Sequence, residues 1–348
     1  MTPAAFAIPG DINLPTGGYI YDRRVLALLP QFGIAARHIE LPGSFPDPTQ
    51  EDLAETARAL GAVASGTVLV VDGLAYGALP ADLISGVRAP IVALVHHPLC
   101  LEAGLSEPRQ AQLLALETAA LALANRIVVT SSATARTLHS DFGVAGERTI
   151  VAEPGTDPAE RARGSTGPLQ LLSVGSVVQR KAYDILVHAL APLRDRDWRL
   201  TIAGATDRSP QALAALHAAV RETGLKDRIA IVGAVAQEGL AEMYASADTL
   251  LLPSLYEGYG MVLAEAMARG LPMVCTTGGA AAETAPDATA IKVPPGDQPA
   301  LTAAIRRLLD EPATRQRLAD ASWAAGQRLP RWEDTARTIA GVIKELAA

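Results

Sequence analysis

Residues 253–274 read PSLYEGYGMVLAEAMARGLPMV, and one local unit accounts for the whole run. The apolar stretch Thr249–Leu252 forms a strand that stops at Pro253, and Glu257-Gly258-Tyr259-Gly260 makes a loop. Met261 to about Arg269 has helical composition with Gly270 as its stop, and Met273–Cys275 opens the next strand. Glycine on either side of Tyr259 lets backbone N–H groups turn toward a ligand, and a helix N-terminus favours an anion there. Glu257 and Glu265 stand eight positions apart, one in the loop and one on the helix. On the helix, Glu265 can accept hydrogen bonds from two neighbouring hydroxyls. Phosphate at the N–H groups with a carboxylate on either side suits a sugar–diphosphate–ribose. A well-capped surface helix with two solvated glutamates has the same spacing.

Working outward, short apolar runs alternate with helix-period segments along the chain. The first half offers strands at Ala5–Ile8, Val68–Val71, Ile91–Val95, Ile127–Val129 and Thr149–Val151. The second half offers Leu169–Val174, Leu200–Ala203, Ile229–Val232, Thr249–Leu252 and Met273–Cys275. Runs without polar alternation suit strands buried on both faces of a parallel sheet, and repeated β-then-α units imply a doubly wound sheet in each half. Glu153 to Pro168 (EPGTDPAERARGSTGP) has linker composition and separates the halves. The expected division is 1–160, 165–328, and a tail, 329–348, whose helix could cross back to the first domain. Two such halves leave a cleft, and ligands of open α/β sheets sit beyond the carboxyl ends of the strands.

Those ends supply the other candidates. In residues 173–190, SVGSVVQRKAYDILVHAL, a strand ends at Val174-Gly175 and a helix begins near Ala182. Arg180 and Lys181 stand at its start, where the helix dipole disfavours cations. An anion bound between them would explain the placement; a pair of exposed loop cations would cost only about 0.3–1 kcal/mol. Gly17 and Gly18 follow the first strand and permit close backbone approach, but they form no GxGxxG dinucleotide fingerprint, which removes the main support for a dehydrogenase. His96 and His97 end the strand Ile91–Val95, and either could meet substrate. Asp195-Arg196-Asp197 imitates a DxD metal motif but precedes a strand instead of following one, and no HExxH or local cluster of metal ligands occurs. No metal is expected.

Composition excludes several classes of function. The chain has 348 residues, 49% hydrophobic and 19% charged, enough apolar material for two cores. Residues 1–160 hold 9 Arg, no Lys and 17 acidic residues; the remainder holds 21 basic and 20 acidic. An acidic first half argues against nucleic acid and against strong attraction to anionic lipid. The 2 cysteines, Cys100 and Cys275, form no CxxC, so a reducing cytoplasm is the expected setting. The first ten residues lack the features of a signal peptide, and no run of 18 apolar residues occurs.

These residues, in this order, resemble glycosyltransferase family 4, a group of retaining enzymes of the GT-B fold. The likeness runs through PTGGYIYDRR, VVTSSATARTL, EPGTD, VGSVVQRKAYDIL, the 253–274 block and TTGGAAAE. Glu257 and Glu265 match the family's E-x7-E motif. The resemblance implies an α/β fold with two Rossmann-like doubly wound domains facing a cleft, the first for the acceptor and the second for the nucleotide-sugar donor. It implies that Lys181 binds the donor diphosphate, that Glu265 holds the ribose hydroxyls and that Glu257 lies beside the transferred sugar. Gly258, Tyr259, Gly260, Met261 and Val262 would present backbone to sugar and phosphate. Gly17 and Gly18 would reach the donor from the first domain, and His96 or His97 would be the cleft histidine. The chain departs from the pattern at Ser176, where many members have arginine, and Arg180 is the candidate replacement. It departs again at Lys181-Ala182, where lysine-glycine is usual. The expectation is hexosyl transfer with retention from UDP-hexose, with GDP-hexose also admitted, to a hydroxyl acceptor without metal or cofactor. The protein would be cytoplasmic with weak or no membrane association. A GT-B epimerase or a non-catalytic nucleotide-sugar-binding subunit is the alternative.

Overall fold

Uninterrupted apolar runs at regular intervals demand strands covered on both faces, and the computed structural model, which describes Met1–Ala348, builds two wholly parallel six-stranded sheets from them. The chain divides into two units, Met1–Gly155 with Pro330–Ala348, and Thr156–Leu329. The first sheet contains β1 (Thr2–Pro9), β2 (Ile34–Leu41), β3 (Val68–Asp72), β4 (Ile91–Val95), β5 (Arg126–Val129) and β6 (Thr149–Val151), in the order β2-β1-β3-β4-β5-β6. The second contains β7 (Leu169–Val174), β8 (Trp198–Ala203), β9 (Ile229–Gly233), β10 (Thr249–Leu252), β11 (Met273–Thr276) and β12 (Ala290–Val293), in the order β12-β11-β10-β7-β8-β9.

Strand order decides which loops meet. In each sheet the winding reverses once, between β1 and β3 and between β7 and β10, and the loops leaving those strands part to opposite sides of a crevice at the carboxyl edge. The loop after β7 carries Arg180 and Lys181; the loop after β10 carries Glu257. Pairing of β7 with β10 therefore brings together groups 76 positions apart. In the first sheet, β1, β3 and β4 lie side by side, which gathers the residues following each of them.

Period-2 alternation distributes the strand side chains between two cores. In the second unit Leu171, Leu251 and Val274 belong to one cluster with Leu186, Leu190 and Leu216, while Leu172, Leu250, Leu252 and Met273 belong to another with Leu263 and Met267. Two strands had no counterpart among the expected runs, β2 and β12. Both are sheet edges, and both keep half-exposed positions. Polar residues interrupt both, Arg37, His38 and Glu40 in β2 and Lys292 in β12, so neither carries a continuous apolar signature. No helix is long and apolar enough to cross a membrane.

The tail residues 330–348 form the helix Trp332–Ala347 of the first unit. Trp332 meets Tyr21 edge-on at 5.9 Å and lies against Gly155, where an added Cβ would stand 2.2 Å from the Trp332 nitrogen. Thr335 anchors the helix by donating to the Glu153 carbonyl at 2.7 Å.

Candidate functional site

In the second unit the crevice between the ends of β7 and β10 holds a buried ion cluster. Lys181 Nζ donates to Glu257 Oε1 at 2.6 Å, and Arg180 Nη1 lies 3.4 Å from Glu257 Oε2 while donating to the Tyr256 carbonyl at 2.8 Å. The two cations do not sit on the following helix, Tyr183–Leu190. They occupy a 3-10 turn, Gln179–Lys181, and the anion they face is Glu257 itself. Burial pushes the Glu257 carboxyl up, but Lys181 and then Arg180 overcome it and bring its pKa down to about 2. Glu257 is thus ionised at all physiological pH. Ala182, where the family pattern has glycine, carries the left-handed backbone of that glycine, φ 49°.

Glycines set this geometry by admitting backbone where a side chain would collide. A Cβ on Gly175 would stand 2.9 Å from Lys181 Cε, and one on Gly204 2.0 Å from the Gly175 carbonyl oxygen. Ser176 follows directly on this close crossing, its nitrogen 2.8 Å from the Gly204 Cβ position. On the other side, Gly278 and Gly279 cradle the Glu257 loop: Glu257 N–H donates to Gly278 O at 3.2 Å and Ala280 N–H to Glu257 O at 2.8 Å. Sequence reasoning gives these supporting glycines no part in the site, although a glycine pair directly after β11 is the signal of a close backbone approach.

The helix Met261–Ala268 begins at Gly260, φ 90°, with no side chain capping it. Its first-turn N–H groups thus lack a side-chain acceptor of their own. Tyr259 points its ring into the core, so only its backbone borders the loop, and its carbonyl accepts from Thr284 Oγ1 at 2.6 Å. On the helix, Glu265 Oε2 accepts from the Tyr244 hydroxyl at 2.7 Å, and the Arg269 guanidinium stacks on the Tyr244 ring at 4.6 Å. Burial raises the Glu265 pKa, and the Tyr244 hydrogen bond and the Arg269 charge pull it back. Tyr244 escaped sequence reasoning because it lies outside the motifs, and Arg269, inside the 253–274 block, reads there only as the end of the helix.

In the first unit, Gly17 opens the helix Gly17–Leu28, and Gly18 packs on His96: a Cβ at Gly18 would meet His96 Cδ2 at 3.2 Å. His96 Nε2 lies 3.2 Å from Asp22 Oδ1 and 3.4 Å from Asp72 Oδ2, and its ring meets Tyr21 edge-on at 5.0 Å. His97 turns toward Glu102, at 3.6 Å. Of the two histidines, His96 is the one the fold brings to the Gly17–Gly18 loop. The ligand atoms of Asp22, Asp72 and His96 lie within 4.8 Å of one another, the geometry of a cluster that could take a metal; their separation in sequence hid it.

Burial pushes Asp22 up to about 7, with His96 partly opposing. For His96 burial works downward, and the two aspartates override it to about 10. Glu117, buried behind the turn after His97 and accepting from Leu99 N–H at 2.9 Å, is raised by burial to about 8. All three have folded pKa values above their ordinary ones, so their stabilisation is complete at low pH and disappears as pH rises through the folded values. For His96 the window runs from about 6.5 to about 10. The melting temperature should fall across that range, and Asp22→Asn should flatten the fall. A parent protein equally stable at pH 6.5 and 10 would contradict the cluster.

Comparison with known proteins follows the same division. Residues 36–160 match the family described as Glycosyltransferase Family 4, and residues 168–311 match Glycosyl transferases group 1. Among relatives, an MMP alpha-(1->4)-mannosyltransferase of Mycolicibacterium hassiacum is 30% identical over 286 residues, 74% of this chain and 66% of that protein. Matches to the D-inositol 3-phosphate glycosyltransferase of Xylanimonas cellulosilytica cover 42% of that relative's length. A sucrose-phosphate synthase structure from Thermosynechococcus elongatus superposes with a TM-score of 0.83 over 99% of both chains at 24% identity. Anabaena Alr3699/HepE in complex with UDP and glucose does so at 0.77 over 98% of this chain and 100% of that one, with 16% identity. The chain is built on the GT-B fold, with a glycosyltransferase family 4 domain in its first unit and a glycosyl transferases group 1 domain in its second.

Proposed function

We propose that the protein is a retaining hexosyltransferase that takes its sugar from a nucleotide-sugar held by the second unit and passes it to a hydroxyl acceptor held by the first. The observation that carries this reading is the convergence of Lys181 and Arg180, from the turn after β7, on Glu257, in the loop after β10 that leads into the uncapped helix at Met261. That arrangement offers two cations and open N–H groups for a diphosphate, and a carboxylate beside the sugar. Glu265, on the same helix, takes the ribose hydroxyls.

UDP-hexose is the favoured donor, in keeping with the UDP and glucose named for the Anabaena neighbour. In the transfer step, charge develops on the departing nucleoside diphosphate. Lys181 and Arg180 stabilise it, with the start of the Met261 helix adding its dipole. No side chain is assigned as a covalent nucleophile and no metal is assigned a step. Backbone from Gly258 to Val262 positions the sugar, and in the first unit Gly17, Gly18 and His96 are the candidates for acting on the reactants. Ser176 leaves the place of the family arginine without charge, which Arg180 supplies from the adjacent turn.

A thermal-shift screen across UDP-, GDP- and ADP-sugars tests donor binding. Incubation with donor alone separates transfer from epimerisation, since only an epimerase changes the sugar without an acceptor. The anomeric configuration of the product, read by NMR, tests retention; an inverted product would refute it. Tyr244→Phe tests the ribose assignment. With the hydroxyl gone, buried Glu265 loses its stabilising donor and protonates more readily, so the KM for donor should rise roughly 10-fold, most at acid pH, with kcat little changed. An unchanged KM, or a loss confined to kcat, would remove Glu265 from donor binding.

A further inference from the structure

Sugar acceptors come with and without phosphate, and the two demand different protein surfaces. A phosphate is gripped by arginine or lysine, or by the open N-terminus of a helix. The carboxyl edge of the first sheet, where ligands of such sheets bind, holds its few arginines against partners of their own and leaves no long helix open.

Every helix of eight or more residues that follows a strand of this sheet is closed by its own side chain, and the short turns Ala81–Ser85 and Leu99–Leu101 start without one. Thr16 caps Gly17–Leu28, Thr49 caps Gln50–Gly61, Asp72 caps Gly73–Tyr76, Ser106 caps Glu107–Leu123 and Ser131 caps Ser132–Phe142. The second unit is the contrast, for the helices starting at Tyr183, Gln237 and Met261 have no side-chain cap.

Cations are equally scarce. No lysine precedes Lys181 in the chain. Arg23 donates to the Ile12 and Leu14 carbonyls, and the Arg24 guanidinium lies over the Trp332 ring at 5.8 Å. Arg109 is held by the Asp47 carboxylate, by the Pro46 carbonyl at 3.0 Å and by Gln112 at 2.8 Å. Arg136, farther along on the helix after β5, is partnered too. Asp11, Asp72 and Glu102 all follow or end strands of this edge. His96 adds no net positive charge, since two carboxylates share its one imidazole.

We propose that the acceptor carries no phosphate or carboxylate, and is a neutral or amine-bearing sugar or cyclitol. This rests on the reading of the first unit as the acceptor side. An anionic acceptor would meet a closed, acidic edge, whereas hydroxyls can be served by its carboxylates and carbonyls, and an amine would be attracted.

The test is a pooled acceptor assay with UDP-glucose and GDP-mannose, read by mass spectrometry. The pool contains glucose, mannose, fructose, myo-inositol and glucosamine, each beside its phosphate ester. The expected result is product from the unesterified members, with kcat/KM at least about 10-fold above the matching ester. Inorganic phosphate should leave the acceptor KM unchanged. Preferential transfer to an ester, competition by phosphate against acceptor, or a protein that binds UDP yet glycosylates no neutral member would overturn the inference. Failure to bind any nucleotide would instead strike the reading of the second unit.

Discussion

Lys181→Ala should leave a folded protein that transfers sugar about 100- to 1,000-fold more slowly than the parent, the loss expected when one preorganised stabiliser of transition-state charge is removed. Two effects must be separated. Lys181 Nζ is the closest partner of Glu257, at 2.6 Å, and the carboxylate is buried. Removing the ammonium leaves Glu257 the weaker cationic contact of Arg180, 3.4 Å away, at a stability cost of about 3 kcal/mol. The Glu257 pKa should then climb from about 2 toward its ordinary range. Since a depressed carboxylate pKa stabilises the fold above its unfolded value and is lost as pH falls through the folded one, the parent should resist acid down to lower pH than the variant. Adding Glu257→Gln restores neutrality and should recover stability. It should not recover UDP affinity if Lys181 grips the diphosphate, because UDP has no hexose for Glu257 to touch. A Lys181→Ala protein with normal turnover, or a double variant with normal UDP affinity, would reduce Lys181 to a counter-ion for Glu257.

That ambiguity marks where sequence reasoning ends. Arg180 and Lys181 invited the inference of an anion because cations at a helix start are unfavourable. The structure supplies one from 76 residues away, and no local pattern encodes that pairing. What local pattern does encode is the backbone frame: uninterrupted apolar runs place the interior strands, and Gly260 and Ala182 announce helix starts without side-chain caps. Strands β2 and β12 escape because Arg37, His38 and Glu40 in one and Lys292 in the other break the apolar run, whereas the edge strand β9 keeps its run. The Asp22–Asp72–His96 cluster escapes for a different reason. Its members come from a helix and two strand ends that meet only once β1, β3 and β4 are in register. Tyr244 shows the same limit in the second unit, for a tyrosine at helical spacing reads as core until its hydroxyl is seen on Glu265.

Gly278→Ala should be damaging out of proportion to its one added methyl group, and it tests whether the Glu257 loop is held from below. Gly278 has no positive φ, so the objection to a side chain is steric alone. An added Cβ would stand 2.2 Å from the Leu255 carbonyl oxygen and 3.2 Å from Tyr256 Cα, both backbone, which cannot rotate away. Either the segment after β11 or the Leu255–Tyr256 segment must move. The first route breaks the Glu257 N–H to Gly278 bond and the bridge between Glu257 and Gly279. The second shifts the Glu257 carboxylate against Lys181. Overpacking of this kind costs about 1–3 kcal/mol, and a displacement near 1 Å at the site costs on the order of 100-fold in rate. Denaturant unfolding and steady-state kinetics on the same preparation read both. Gly341→Ala provides the control, since nothing lies within 4 Å of its Cβ position and it sits inside the Trp332–Ala347 helix. There alanine should stabilise by about 0.5–1 kcal/mol and leave turnover alone. If Gly278→Ala behaved like Gly341→Ala, the glycine pair after β11 would be a spacer, and the position of Glu257 would have to be fixed from the Lys181 side alone.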